Sequence, residues 1–378
     1  MGSEERRHDI DWLRTLAVWL LVPFHTGCIY VGWPYLRSEE QSAMTEFIVR
    51  FFNVWQMPLL FFLAGVGSWY ALRKRNGREF IKERFFRLFV PFIFGTLVIV
   101  PLQPYFTNRW EGTVTGGFFT FYPQFFNGLY PAGNFSYSHL WFLLYLFIFA
   151  MVCLPVFTRI YHKHGEAIGL RLLQIGAKPG GLMWLSVPFI TIEVLLRVPF
   201  PGLQTFITDW ANVLRYCLLY IYGFYYAATP GLADVVAEHR RIWLTVAGII
   251  TLALTILLLP LGYAPPPSYN PGNLVLLAFG GFLLWMWILV CLGYARHYLN
   301  FENALLRRFV PISLPFYILH QSILIAVAYY VLKAGFTLYP AFFIIVVLTF
   351  IASWLIADFG IRPWKIMQLF FGMKGKLH

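Results

Sequence analysis

Long apolar stretches follow one another along the whole chain, separated by short polar connections. A membrane-spanning helix needs about 20 mostly apolar residues. Ten stretches meet that length, roughly 11–33, 46–72, 85–104, 139–161, 182–200, 206–228, 242–264, 272–297, 309–333 and 339–361. The pattern predicts an all-α polytopic membrane protein of about ten transmembrane helices. No repeat relates one half of the chain to the other, which disfavours a transporter built from two related halves. The connection from Tyr105 to Tyr137 is the longest on the predicted outer side, and it is rich in Phe, Tyr, Gly and Asn. Aromatic rings of this kind suit a membrane interface and equally suit stacking against sugar rings.

Charge sets the orientation. With the N-terminus in the cytoplasm and ten alternating spans, all but Arg37, Arg50, Arg109, Arg197, Arg215 and Lys333 of the 29 Lys and Arg fall on the inner side. Shifting the count by one helix would scramble that asymmetry, so both termini are expected to be cytoplasmic. The net charge of +12 is then topological and calls for no nucleic-acid partner. Composition agrees, being 59% hydrophobic and 12% charged. One membrane domain over 1–378 is expected, with no soluble domain. The four cysteines lie in separate apolar stretches and make neither a disulfide framework nor a metal pattern. The apolar segment around "HTGC" is read as an uncleaved anchor.

Several polar groups sit where Leu or Val would serve. A charged group at the centre of a span costs about 2.5–3.5 kcal/mol on insertion scales, so such groups usually face a cavity. In "DWLRTLAVWLLVPFHTGC", Arg14 and His25 are eleven residues apart. In an unbroken helix that spacing returns to within about 20° of the same face after a rise of roughly 16 Å. Arg14 would lie near the inner interface, where it could also simply snorkel, and His25 past the midplane. In the second span, "VRFFNVWQMP" places Arg50, Asn53 and Gln56 on an i, i+3 stripe. In the fifth, Glu193 lies past the midplane with Arg197 one turn on, a partner that could neutralise it. In the ninth, "SLPFYILHQS" puts Ser313, Tyr317 and His320 on one face. His139 opens the fourth span in "SHLWFLLYL", and Arg84 and Arg87 open the third in "ERFFRLF". Arg14, Arg84 and Arg87 together would suit phosphates at the inner surface.

These residues resemble the acyltransferase-3 family of integral membrane O-acyltransferases. The likeness is carried by Arg14-x10-His25, "FFLAGVGSWY", Arg84-x-x-Arg87, "HLWFLLYL" and "SLPFYILHQS". Within the family, "VPFHTGCIY", "RFFNVWQMPLLFFLAG" and "IRPWKIMQLFFGMKGK" look most like the osmoregulated periplasmic glucan succinyltransferases, while the middle third diverges. The resemblance implies transfer of an acyl group, succinyl in that subfamily, from a cytoplasmic CoA thioester to a hydroxyl of a periplasmic or cell-surface glycan. It implies acyl-CoA as co-substrate, no permanently bound cofactor, no metal, and a place in the bacterial inner membrane. Arg14, Arg84 and Arg87 would hold the CoA phosphates. His25 would be the general base, or the site of an acyl-histidine, with Glu193 or His320 orienting it. Arg50, Asn53, Gln56, His139, Trp141 and Tyr317 are the candidates for binding the acceptor, the oxyanion or the acyl group. A distal carboxylate would need a cation, for which Arg50, Arg197 and Arg215 are available.

Two other readings use the same residues. A proton-coupled transporter of a small anionic or acylated compound would use His25, Glu193 and His320 as a relay. An assembly subunit for glucan synthesis gives no reason to align Arg14 with His25.

Overall fold

The computed structural model describes residues 6–32, 36–130, 132–202, 205–258 and 266–373. The ends of the predicted first and seventh spans, the first part of the proline-rich "GYAPPPSYNPGN" loop, and Lys374 and Lys376 lie outside them. The described residues are helical with no strand, apart from one isolated bridge between Leu129 and Phe135. All ten apolar stretches contain helix. Among the described residues, six helices are long and apolar enough to cross a bilayer: Ala43–Leu72, Gly77–Trp110, Arg240–Leu258, Pro271–Tyr298, Ala304–Lys333 and Leu338–Ile361. The pair Ser138–Val152 and Val156–Gly176, bent by 46°, makes a seventh if it is one span. The chain is thus an all-α polytopic membrane protein.

The three stretches outside that count have local reasons. The first is interrupted between His8–Trp19 and Leu21–Cys28. Pro23 explains the break, because it offers no N–H and its ring crowds the carbonyl four residues earlier, on Trp19. The same-face relation of Arg14 and His25 assumed an unbroken helix, so it no longer follows from their spacing. The fifth stretch, Gly181–Leu196, is short. The sixth, Trp210–Ala228, carries Asn212, Arg215 and several tyrosines.

Two compact units, interleaved in sequence, make up the chain. The first comprises Met1–Ala17, Phe51–Ile81 and Ile148–Leu306; the second comprises Val18–Arg50, Lys82–Phe147 and Arg307–His378.

In the first unit, two helices touch backbone to backbone. A Cβ on Gly65 would lie 1.9 Å from the carbonyl oxygen of Tyr220, and one on Gly223 would lie 1.9 Å from that of Phe62. Small residues permit this approach, which is how helices gain van der Waals contact where lipid removes the hydrophobic drive between them. Ser68 and Tyr220 share a hydrogen bond at 2.5 Å beside the crossing.

The second unit is centred on Ser313–Lys333, against which Leu338–Leu355, Leu102–Trp110 and Leu21–Cys28 pack. Its other long helix carries two π-helical turns, Phe85–Phe89 and Gly95–Ile99, each followed by a proline within two residues. Pro91 and Pro101 cannot complete the ordinary ladder, and the chain widens just before each. Carbonyls released in this way are used: Leu97 O accepts from the Tyr122 hydroxyl at 3.1 Å and Ile99 O accepts from Ser322 at 2.9 Å. Gly95 lets this helix pass close to Leu140 and Ile318, since a Cβ there would stand 2.6 Å from a Leu140 methyl.

The glycine crossing is open to a stability test. Gly65→Ala and Gly223→Ala should each cost about 2 kcal/mol or more, the scale of overpacking. Gly248→Ala, which meets nothing within 4 Å, should be neutral. Thermal unfolding of the purified protein in detergent reads the difference.

Candidate functional site

In the second unit, three segments bring three imidazoles into a row. Leu21–Cys28 supplies His25, and the ninth apolar stretch supplies His320 at its most buried level, with 0% exposure. The rings of His25 and His320 stand 5.4 Å apart, and those of His320 and His139 stand 5.2 Å apart and edge-on. His25 is half-buried overall, with its Nδ1 buried. The third ring comes from the short 3-10 turn Ser138–Leu140, entered through Ser138 at φ 45°. A non-glycine residue rarely adopts that backbone, and it persists only where the surroundings over-determine it. Here the Ser138 N–H donates to Ser136 Oγ at 2.9 Å and the Ser138 hydroxyl donates to Gln103 Oε1 at 2.6 Å.

Tyr317 binds the row together. Its hydroxyl donates to the His139 carbonyl, and its own carbonyl accepts from His320 Nδ1. That bond requires the proton on Nδ1, which leaves His320 Nε2 as a lone pair. His320 Nε2 has no hydrogen-bond partner among the described residues. The same is true of both amide atoms of Gln321, which is 1% exposed. A buried polar group without a protein partner usually meets water or a ligand. Gln103, Ser138, Gln321 and Ser322 were not singled out from the sequence. Gln103 lies between Pro101 and Pro104 at the end of an apolar run and reads as an interfacial residue. Gln321 could have been noticed, being a second polar side chain directly after His320 in an apolar helix.

The other predicted residues have different surroundings. Trp141 is buried, edge-on to Tyr145 with ring centres 5.0 Å apart. Ser313 donates to carbonyls at the start of its own helix. Arg50 is exposed and chelates Glu46 at 2.7 and 2.9 Å. Asn53 is exposed, whereas Gln56 is buried and donates to the Ala17 carbonyl at 2.9 Å. The three therefore share spacing but no common environment. Arg84 and Arg87 flank Glu83: Arg87 Nη1 lies 3.1 Å from one carboxylate oxygen and Arg84 Nε lies 3.9 Å from the other. Arg14, in the first unit, lies 3.7 Å from Asp11, and its guanidinium passes over Gly67.

Glu193 is also in the first unit, and both of its oxygens are engaged. Arg197 grips it bidentately at 2.8 Å, and Arg215 reaches it at 2.9 Å. Both guanidiniums also donate to Asn212 Oδ1, while Arg215 lies over the ring of Tyr216 at 4.7 Å. This is the neutralising partnership that the i, i+4 spacing allowed, extended by a second arginine. Among the described residues, no cluster of His, Cys, Asp and Glu could hold a metal ion.

Two substitutions separate a committed polar group from an uncommitted one. Glu193→Gln leaves two guanidiniums facing a neutral amide and should destabilise the protein by about 3 kcal/mol. Gln321→Met removes no protein hydrogen bond and should leave stability within about 0.5 kcal/mol. Melting temperatures of the two variants, side by side, check both.

Comparison with known proteins adds to this geometry. The family model described as an acyltransferase domain, acyltransferase-3, matches residues 7–358. Among curated relatives, the glucans biosynthesis protein C of Shigella dysenteriae serotype 1 (strain Sd197) is 22% identical over 341 residues, covering 84% of this chain and 82% of that protein. The protein of the same name from Escherichia coli (strain K12) shows the same identity and coverage. That of Escherichia coli O139:H28 is 22% identical over 347 residues, with 84% and 82% covered. No solved structure matches the chain at the same stringency. With the match running over nearly all its helices, the chain belongs to the acyltransferase-3 family and is a multi-pass membrane acyltransferase.

Proposed function

We propose that this protein takes an acyl group from a CoA thioester and places it, as an ester, on a hydroxyl of a glycan outside the cytoplasm of a bacterium. The observation that carries the reading is the row of three imidazoles, with rings 5.4 and 5.2 Å apart, inside apolar helices of the second unit. Placing three titratable rings side by side in hydrocarbon has little structural use, since Leu or Val would pack there at lower cost. Proton transfer is the chemistry that two neighbouring imidazoles of the row, His25 and His320, can supply.

His25 is the general base in this reading. Its ring takes the proton of the acceptor hydroxyl as the oxygen forms a bond to the thioester carbonyl carbon. The tetrahedral intermediate then collapses with cleavage of the carbon–sulfur bond, and the departing thiolate recovers the proton. His320, whose Nε2 lone pair has no protein partner among the described residues, is the neighbour that accommodates the imidazolium. Glu193 is left out of this step because its oxygens are held by Arg197 and Arg215. Gln321, buried with an uncommitted amide, is a donor for the developing oxyanion.

Arg84 and Arg87, both in the second unit, are assigned to the CoA phosphates. Glu83 already lies near both, and a phosphate would compete for those guanidiniums. A glucan acceptor is favoured by the relatives' shared name, and the succinyl group only by the subfamily likeness of the first and second spans and of the C-terminal stretch. A succinyl carboxylate needs a cation, and exposed Arg50 is the outer-half arginine held by a single surface carboxylate.

Reconstitution in liposomes with succinyl-CoA and a linear glucan tests the reading directly. Mass spectrometry should find a succinyl ester on the glucan together with stoichiometric release of free CoA thiol. His25→Ala should lower turnover by about 100-fold or more with succinyl-CoA binding unchanged. Counterflow of the anion without ester formation would favour a transporter instead. In separate variants, Arg84→Ala and Arg87→Ala should each raise the Kd for CoA about tenfold, and the loss should shrink as salt rises.

A further inference from the structure

The row of imidazoles ends at His139, and the groups around that ring decide its protonation. His139 Nε2 lies 3.0 Å from the carbonyl oxygen of Ile318. A carbonyl has only lone pairs, so Nε2 carries the hydrogen. On the other side, His139 Nδ1 lies 3.1 Å from Gln103 Nε2.

The orientation of that amide is fixed by its other neighbours. Ser322 spends its hydroxyl hydrogen on the Ile99 carbonyl at 2.9 Å, so its oxygen can only accept, and Gln103 Nε2 lies 3.0 Å from it. Turning the amide over would set Oε1 against that same oxygen with no hydrogen between them. Gln103 Oε1 instead accepts from Ser138 at 2.6 Å. The NH2 group therefore faces His139 Nδ1 and donates to it, which requires a bare nitrogen there. A second proton on His139 would point one N–H at another.

We propose that Gln103 is a positioning residue that locks His139 as a neutral imidazole with its hydrogen on Nε2, so that the proton released during acyl transfer stays on the His25–His320 pair. This rests on the acyl-transfer reading above. A charge on His139 would stand 5.2 Å from the ring of His320 and oppose a proton arriving there. With Nε2 committed to the ninth span and Nδ1 to Gln103, His139 instead pins that span beside the reacting groups. Gln103 is 3% exposed and touches neither donor nor acceptor in this arrangement. The carbonyl that orients Ser322 is one of those released by the π turn before Pro101, so the irregular helix and the tautomer are parts of one construction.

The test uses the full-length protein with 15N-labelled histidine in lipid nanodiscs. The His139 signals are identified by their disappearance in His139→Asn. At neutral pH the wild type should give the neutral pattern with hydrogen on Nε2. Gln103→Glu keeps the shape and still accepts from Ser138, but its carboxylate accepts at Nδ1 as well. His139 should then become an imidazolium, and kcat should fall by about tenfold, the scale of one misassigned hydrogen bond, with the KM for acyl-CoA unchanged. If Gln103 only braced the fold, this isosteric variant would turn over like the wild type. That result, or a wild-type His139 that is charged or carries its hydrogen on Nδ1, overturns the proposal. The spectrum decides this whether or not the wild type transfers an acyl group, so failure of the functional reading is separately visible.

Discussion

Within a bilayer a polar atom has no water to turn to, and each one must find a partner in the protein or wait for a substrate. This constraint orders the second unit. Its prolines break the regular helical ladder, and the carbonyls set loose at Leu97 and Ile99 are taken up by Tyr122 and Ser322. Ser322 then passes the constraint to Gln103, Gln103 passes it to His139, and His139 returns it to the backbone at Ile318. In that chain of donors and acceptors each hydrogen has one place to go. Among the atoms left over, His320 Nε2 and the Gln321 amide are adjacent in sequence and buried, as expected of groups that meet something that arrives.

The first unit applies the same rule with charges. Glu193, Arg197 and Arg215 satisfy one another, with Asn212 shared between the two arginines. A carboxylate held from two sides by guanidiniums is a poor orienting partner for an imidazole, and its role is accounted for by cohesion. Close glycine contacts at Gly65 and Gly223 do for van der Waals packing what this cluster does for charge.

Much of this could be read from the sequence. The periodic apolar stretches gave the helices, and the face shared by Tyr317 and His320 is where the structure finds two members of the candidate site. The Arg14–His25 spacing singles out a histidine that the structure places beside His320. Its geometric reading assumes an unbroken helix, and Pro23, acting on the carbonyl four residues earlier, removes that premise. The stripe Arg50, Asn53, Gln56 has helical spacing, but spacing alone does not say which neighbours the other helices bring. Gln103 and Ser138 were hidden for the same reason: their significance lies in four hydrogen bonds made across three segments, and none has a signature in a single helical period. The number of helices that satisfy a length and hydropathy standard is smaller than the number of apolar stretches, since breaks and buried polar side chains shorten the uninterrupted runs.

If His25 and His320 handle the transferred proton as one unit, removing either should disable the step about as fully as removing both. The most direct measurement is single-turnover acyl transfer by His25→Ala, His320→Ala and the double variant, under identical conditions. The account predicts that the double variant is no slower than the slower single variant, as for residues of one catalytic group. Losses that multiply, or a His320→Ala variant that transfers at the wild-type rate, would contradict it.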